Sequence, residues 1–147
     1  MRRYLALPLL ALAALTARAE VTDIDNAELD RLMKAGATVI DIRTAPEWEE
    51  TGIVKGSHLL TFFDERGRYD AAAWLEQVKR VAKPGDPVIV ICRTGNRTKP
   101  VSQFLDKQAG YTKVYNVRNG IKAWIGSGAP VIPARETLAA CRAAKTC

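Results

Sequence analysis

Only one histidine, His58, occurs among the 147 residues, and no two of the three cysteines stand as a Cys-x-x-Cys pair. Neither a structural nor a catalytic metal is expected from so sparse a set of ligands, and no cofactor is implied. A lone imidazole beside an apolar stretch reads as a structural or surface residue. Aromatic residues make up 7% of the chain, and no Lys/Arg run is interleaved with them, so a nucleic-acid partner is not expected. Long apolar runs are also missing: nothing reaches the roughly 20 residues that a membrane-spanning helix requires. The longest, Tyr4 to Leu15, follows Arg2 and Arg3 and precedes Ala17-Arg18-Ala19. A positive start, a short apolar centre and small residues at a cleavage position are the pattern of an export signal. The expectation is an exported, periplasmic protein that loses residues 1–19 and has no stable membrane insertion.

What remains is a chain of ordinary domain size, long enough for one hydrophobic core. The reading divides it into one domain over 20–133 and a helical tail over 134–147. The formal charge of +6 includes Arg2, Arg3 and Arg18, so the processed chain has a mild basic excess. Three cysteines in an oxidising compartment point to one bonded pair and one thiol kept for another purpose. Cys141 and Cys147, close together near the end of the sequence, are the expected disulfide.

Strand and helix patterns alternate along the chain. Asp25 with Glu28 forms a helix start, Leu29, Leu32 and Met33 fall at helical spacing, and Gly36 is a stop. Thr38–Ile42 reads as a buried strand, Pro46 as the first turn of a short helix ending near Gly52, and Ser57–Leu60 as a weaker strand. Asp70–Lys83 and Thr98–Gln108 are helices, the second capped by Asn96 or Thr98; Lys113–Val117 is a strand and Ile121–Ile125 a short helix. Pro87-Val88-Ile89-Val90-Ile91-Cys92 is apolar without alternation, as a central strand buried on both faces requires. The fold class read from this order is α/β, a three-layer domain with a central, mainly parallel sheet flanked by helices.

Cys92 ends that central strand and precedes a helix, the place where open α/β sheets bind ligands. In the following Arg93-Thr94-Gly95-Asn96-Arg97-Thr98, Gly95 and Asn96 tolerate unusual backbone angles, so that successive N–H groups can turn inward around an anion. With Arg93 and Arg97 nearby, such a loop is expected to favour thiolate and make Cys92 a nucleophile. An inert core cysteine is a poor explanation for two flanking arginines. At least one of the two guanidiniums is expected over the loop mouth, attracting an anionic donor.

These segments resemble the rhodanese-like sulfurtransferases over nearly the whole processed chain. Val39-Ile40-Asp41-Ile42-Arg43 followed by Glu47, Trp48, Gly52-Ile53 and Gly56 is similar to the family's first signature. Val88 to Thr98 is similar to its active-site strand and loop. Gly110 to Val117 with Gly120-Ile121-Lys122-Ala123-Trp124 is similar to its closing signature. The resemblance implies that Cys92 takes the outer sulfur of a small anionic donor such as thiosulfate, holds it as a persulfide and passes it to a thiophilic acceptor, cyanide or a thiol. It also implies that Asp41, Arg43 and Glu47 hold the first strand and its turn together; by spacing alone, Arg43 and Glu47 are expected to pair across the start of a short helix. Asn119 departs from the glycine often found there in the family, with little consequence expected for the turn.

Two other readings compete. A persulfide carrier or binding module would serve a protein sulfur acceptor, its identity open, without turning over small molecules. A cysteine phosphatase or arsenate reductase would place an arginine six residues after the cysteine, but position 98 is threonine and the arginine stands at 97.

Overall fold

The structure is a computed structural model that describes residues 20–147, so the expected export signal lies outside the described residues. Five strands form one all-parallel sheet: β1 (Thr22–Ile24), β2 (Thr38–Asp41), β3 (His58–Leu59), β4 (Val88–Ile91) and β5 (Val114–Val117), in the order β1-β5-β4-β2-β3. Six helices connect or follow them: α1 (Asn26–Lys34), α2 (Ala45–Thr51), α3 (Ala71–Val81), α4 (Thr98–Lys107), α5 (Gly120–Gly126) and α6 (Arg135–Ala144). The three-layer α/β architecture read from the sequence is the architecture found.

The unalternating character of β4 has a direct cause in this arrangement. Val88, Val90 and Cys92 face the layer built with Trp74 and Val78 of α3 and Val101 and Leu105 of α4. Ile89 and Ile91 face the opposite layer, with Leu29 and Leu32 of α1 and Ile121 and Trp124 of α5. Both faces of the strand are covered, so every residue must be apolar. Trp74 and Trp124 are buried in these two layers, and Trp48 in a third cluster with Ile53 and Leu59.

Sequence reasoning missed β1, a three-residue edge strand that exists through its parallel pairing of Thr22–Ile24 with Tyr115–Val117. The cap of α4 also differs from expectation. Arg97 occupies the cap position with no capping side chain, and the Thr98 hydroxyl instead donates back to the Gly95 carbonyl at 3.0 Å. The tail is part of the fold. Leu138 of α6 packs with Trp48, Ile53 and Leu59, and a disulfide joins Cys141 to Cys147 across a Cα separation of 5.3 Å. Thiol labelling of unfolded, unreduced protein is expected to mark one cysteine per chain; three labels would show that the pair is reduced.

Candidate active site

At the carboxyl edge of the sheet, the chain leaves β2 toward β3 in one direction and β4 toward β5 in the other, so the crevice between β2 and β4 is the topological switch point. Ile42 N–H donates to the Ile91 carbonyl at 3.1 Å, which brings the ends of these two strands together. Cys92 follows β4 and Arg43 follows β2, so the loop cysteine and the first-signature residues meet there.

Cys92 is fully buried, and it is the free cysteine of the chain. The Gly95 backbone N–H donates to its Sγ at 3.2 Å, and the Thr98 hydroxyl lies 3.7 Å from the same sulfur. The loop closes this tightly because Gly95 has φ +87°, and a Cβ at that position would collide with the Arg118 carbonyl. Asn96 makes no use of its left-handed tolerance, since Lys145 is the one non-glycine residue with positive φ among the described residues. From the other side, α5 is docked onto the loop's first two carbonyls: Ile121 N–H donates to Cys92 O at 2.8 Å and Lys122 N–H to Arg93 O at 3.0 Å. This approach requires Gly120, whose Cβ would strike the Arg93 and Cys92 backbone. Asn119, in contrast, sits at φ −109°, so a glycine is not needed there.

Asp41, Arg43 and Glu47 do gather at this edge, but not with the expected partners. Arg43 does not pair with the Glu47 carboxylate four residues away. Its guanidinium forks onto Asp41, at 3.0 Å and 3.1 Å from Nε and 2.7 Å from Nη2, and both side chains are wholly buried. The remaining donors reach the Thr51 hydroxyl at 2.7 Å, the Gly52 carbonyl at 3.0 Å and the Glu47 carbonyl at 3.3 Å. A buried charge pair is tolerated only when nearly all its hydrogen-bonding capacity is used, and the two-residue spacing puts both groups on one side of the strand end.

Glu47 turns instead to the loop. Its carboxylate takes two hydrogen bonds from Arg97, at 2.8 Å and 2.5 Å, and one from the Thr44 N–H at 3.1 Å, the latter closing a capping box at the start of α2. Arg97 is therefore held against α2, whereas Arg93 stays half-exposed with Glu50 at 3.6 Å. Thr94 is exposed beside it, and His58 is exposed on the edge strand β3. Burial would raise the Glu47 carboxyl, but its hydrogen bonds and the Arg97 charge hold it down to about 2.

Because the folded value is depressed, the stability gained from this clamp is present above the ordinary value of 4.5 and disappears as the pH falls from there toward about 2. The stability difference between wild type and Glu47→Gln, measured by denaturant unfolding at a series of pH values, should shrink across that window. A gap constant from neutral to acid pH would refute the assignment of the clamp to the Glu47 charge.

An all-parallel sheet flanked by helices, with a thiol cradled by a backbone loop at its switch point, defines an α/β protein whose candidate site lies at the carboxyl edge of the sheet. The profile of the rhodanese-like domain family matches residues 25–127, and the chain belongs to that family. It is 30% identical to thiosulfate sulfurtransferase 18 of Arabidopsis thaliana over 82% of this chain and 90% of that one. It is 33% identical to the thiosulfate sulfurtransferase GlpE of Actinobacillus pleuropneumoniae serotype 3, covering 65% and 78% of the two chains. Among solved structures, a rhodanese-related protein from Thermoplasma volcanium superimposes with a TM-score of 0.55 at 29% identity, over 76% of this chain and 97% of that one.

Proposed function

We propose that the protein is a sulfurtransferase that carries sulfane sulfur on Cys92 between a small anionic donor of the thiosulfate type and a thiophilic acceptor. The observation that carries this reading is the Gly95 N–H donated to the Cys92 sulfur at 3.2 Å, at the switch point of a domain whose relatives are named thiosulfate sulfurtransferases. In the first half-reaction the Cys92 thiolate attacks the outer sulfur of thiosulfate, the donor's S–S bond breaks, and sulfite leaves with its electron pair. Cyanide or a thiolate then attacks the outer sulfur of the persulfide, breaking the new S–S bond and restoring the Cys92 thiolate. Both leaving groups depart as stable anions, so the cycle needs no general acid and makes no demand on His58.

The loop residues Arg93 to Thr98 support the cycle in different ways. Gly95 gives an amide that stabilises negative charge on the persulfide, Thr98 stands beside the inner sulfur, and Asn96 and Thr94 shape the mouth. Within the loop, Arg93 is the half-exposed cation that can meet the donor, with Glu50 at 3.6 Å, whereas Arg97, gripped by Glu47, holds the loop in place. Threonine at 98, whose hydroxyl closes back onto the Gly95 carbonyl, leaves no guanidinium there for a phosphate and disfavours the phosphatase reading. The leader-like residues 1–19 support an exported, periplasmic setting for this chemistry.

Incubation with thiosulfate should increase the intact mass by one sulfur atom, lost again on adding cyanide or dithiothreitol. Turnover of thiosulfate with cyanide distinguishes an enzyme from a carrier. A mass unchanged by thiosulfate would sink this function.

A further inference from the structure

The Cys92 loop is surrounded by more positive charge than a small donor anion uses. Arg93, Lys99, Arg118 and Lys122 are all exposed, and each is tied to the loop by the backbone. Arg93 is within it, Lys99 follows Thr98, the Arg118 carbonyl abuts Gly95, and the Lys122 N–H donates to the Arg93 carbonyl. Among the described residues, Lys99, Arg118 and Lys122 have no carboxylate within ion-pair distance, and Arg93 has only Glu50 at 3.6 Å. Of the other acids of this edge, Glu47 is taken by Arg97, Asp41 by Arg43 and Asp25 by the cap of α1, while Asp23, which accepts from the Asn116 amide, lines a cavity together with Lys99.

Glu50 lies opposite Arg93 and Asp23 beside Lys99, so four cations face two carboxylates and the collar as a whole stays cationic. Its charges come from the loop itself, the first turn of α4, the β5–α5 turn and the first turn of α5. A dianion bound at the sulfur meets the loop amides and at most one or two of these groups. Fields from exposed charges persist over roughly a Debye length, about 8 Å at physiological ionic strength, which lets the outer cations act on a larger body.

Resting on the sulfurtransferase reading, we infer that this collar is a docking surface for a protein whose acceptor thiol is ringed by acidic residues. The thiolate of such a partner attacks the outer sulfur of the Cys92 persulfide, the S–S bond to Cys92 breaks, and the partner leaves with the persulfide while Cys92 recovers its thiolate. The electron pair is supplied by the incoming thiolate, so no further reductant takes part. A protein is favoured over an anionic lipid surface because the collar borders a group that must be handed to a nucleophile, and a phosphate headgroup offers none. Charge complementarity of this kind acts mainly on the rate of encounter.

The test uses full-length processed protein loaded from thiosulfate and freed of excess donor. It is mixed with five-residue peptides whose central cysteine is flanked on each side by two aspartates, two serines or two lysines, with rates expressed per thiolate and 2-mercaptoethanol as an uncharged reference. At low salt the aspartate peptide is expected to discharge the persulfide about tenfold faster than the serine peptide and the lysine peptide more slowly, the spread collapsing as salt is raised. Combining Lys99→Glu, Arg118→Glu and Lys122→Glu should erase the preference while leaving sulfur loading and the 2-mercaptoethanol rate close to wild type. Should the triple variant fail to fold, the salt dependence of the wild type decides. Equal rates for the three peptides, or a preference that persists at high salt or in the folded triple variant, would overturn the docking surface. Equal rates accompanied by sedimentation with phosphatidylglycerol vesicles would reassign the collar to a membrane surface. Failure to load sulfur at all is visible beforehand in the intact mass and overturns the sulfurtransferase reading together with this one.

Discussion

Cys92→Ser is expected to fold and to acquire no sulfur from thiosulfate. Serine is slightly smaller than cysteine, and its hydroxyl can still accept the Gly95 N–H that now reaches Sγ at 3.2 Å, so the loop keeps its internal contact. What disappears is the nucleophile: a hydroxyl stays protonated at neutral pH and forms no persulfide. Turnover should fall by about 10⁴-fold or more, the scale on which loss of a covalent nucleophile is felt. Stability should change by about 1 kcal/mol, as for a modest substitution that retains its hydrogen bond. Thiosulfate:cyanide assays and denaturant unfolding on the same preparation check both halves. Substantial turnover by folded Cys92→Ser protein would mean that another group carries the sulfur.

The second large effect is predicted at a position that touches no substrate. In Arg43→Ala, the Asp41 carboxylate stays wholly buried with its fork of donors gone, and the Gly52 carbonyl and Thr51 hydroxyl lose their shared partner. Breaking a buried ion pair from one side typically costs about 3–5 kcal/mol, a large share of the roughly 5–15 kcal/mol that stabilises a domain. The midpoint of urea unfolding should therefore drop sharply. Arg43→Lys should recover only part of the loss, because an ammonium cannot serve Asp41 and the α2 terminus together. Full stability in Arg43→Ala would show that Asp41 finds other donors or that water reaches it. Sulfur loading of the Arg43→Ala fraction that remains folded should persist, since the side chain points to Asp41 and α2 and not to the thiol.

These two residues illustrate how differently the site could be read in advance. Cys92 was legible because its signals are local: an apolar run with no alternation, its abrupt end, and a glycine in the next few residues. Arg43 was legible as an interesting residue but its partner was not. Spacing suggested Glu47, four residues on, a rule that holds for two side chains on one helix surface. Arg43 precedes α2, however, and its side chain turns inward under the sheet edge, where burial selects the partner able to accept a fork of hydrogen bonds. Glu47, left on the outer side, is then available to Arg97, fifty residues later in the chain.

The sequence alone determined the order of the longer elements, the α/β class, the family resemblance, the thiol that ends the central strand and the cysteine pair near the end of the chain. The resemblance rests on whole motifs spread along the chain; the others are written in periodicity, composition or spacing within a few neighbouring residues. Tertiary structure decided β1, the packing of α6 on α2 and β3, the separate partners of Arg93 and Arg97, and the approach of basic residues from α4, the β5–α5 turn and α5 to the Cys92 loop. Those features are set by which strands lie side by side, and neighbours in a parallel sheet are brought together by crossover connections that separate them widely in sequence.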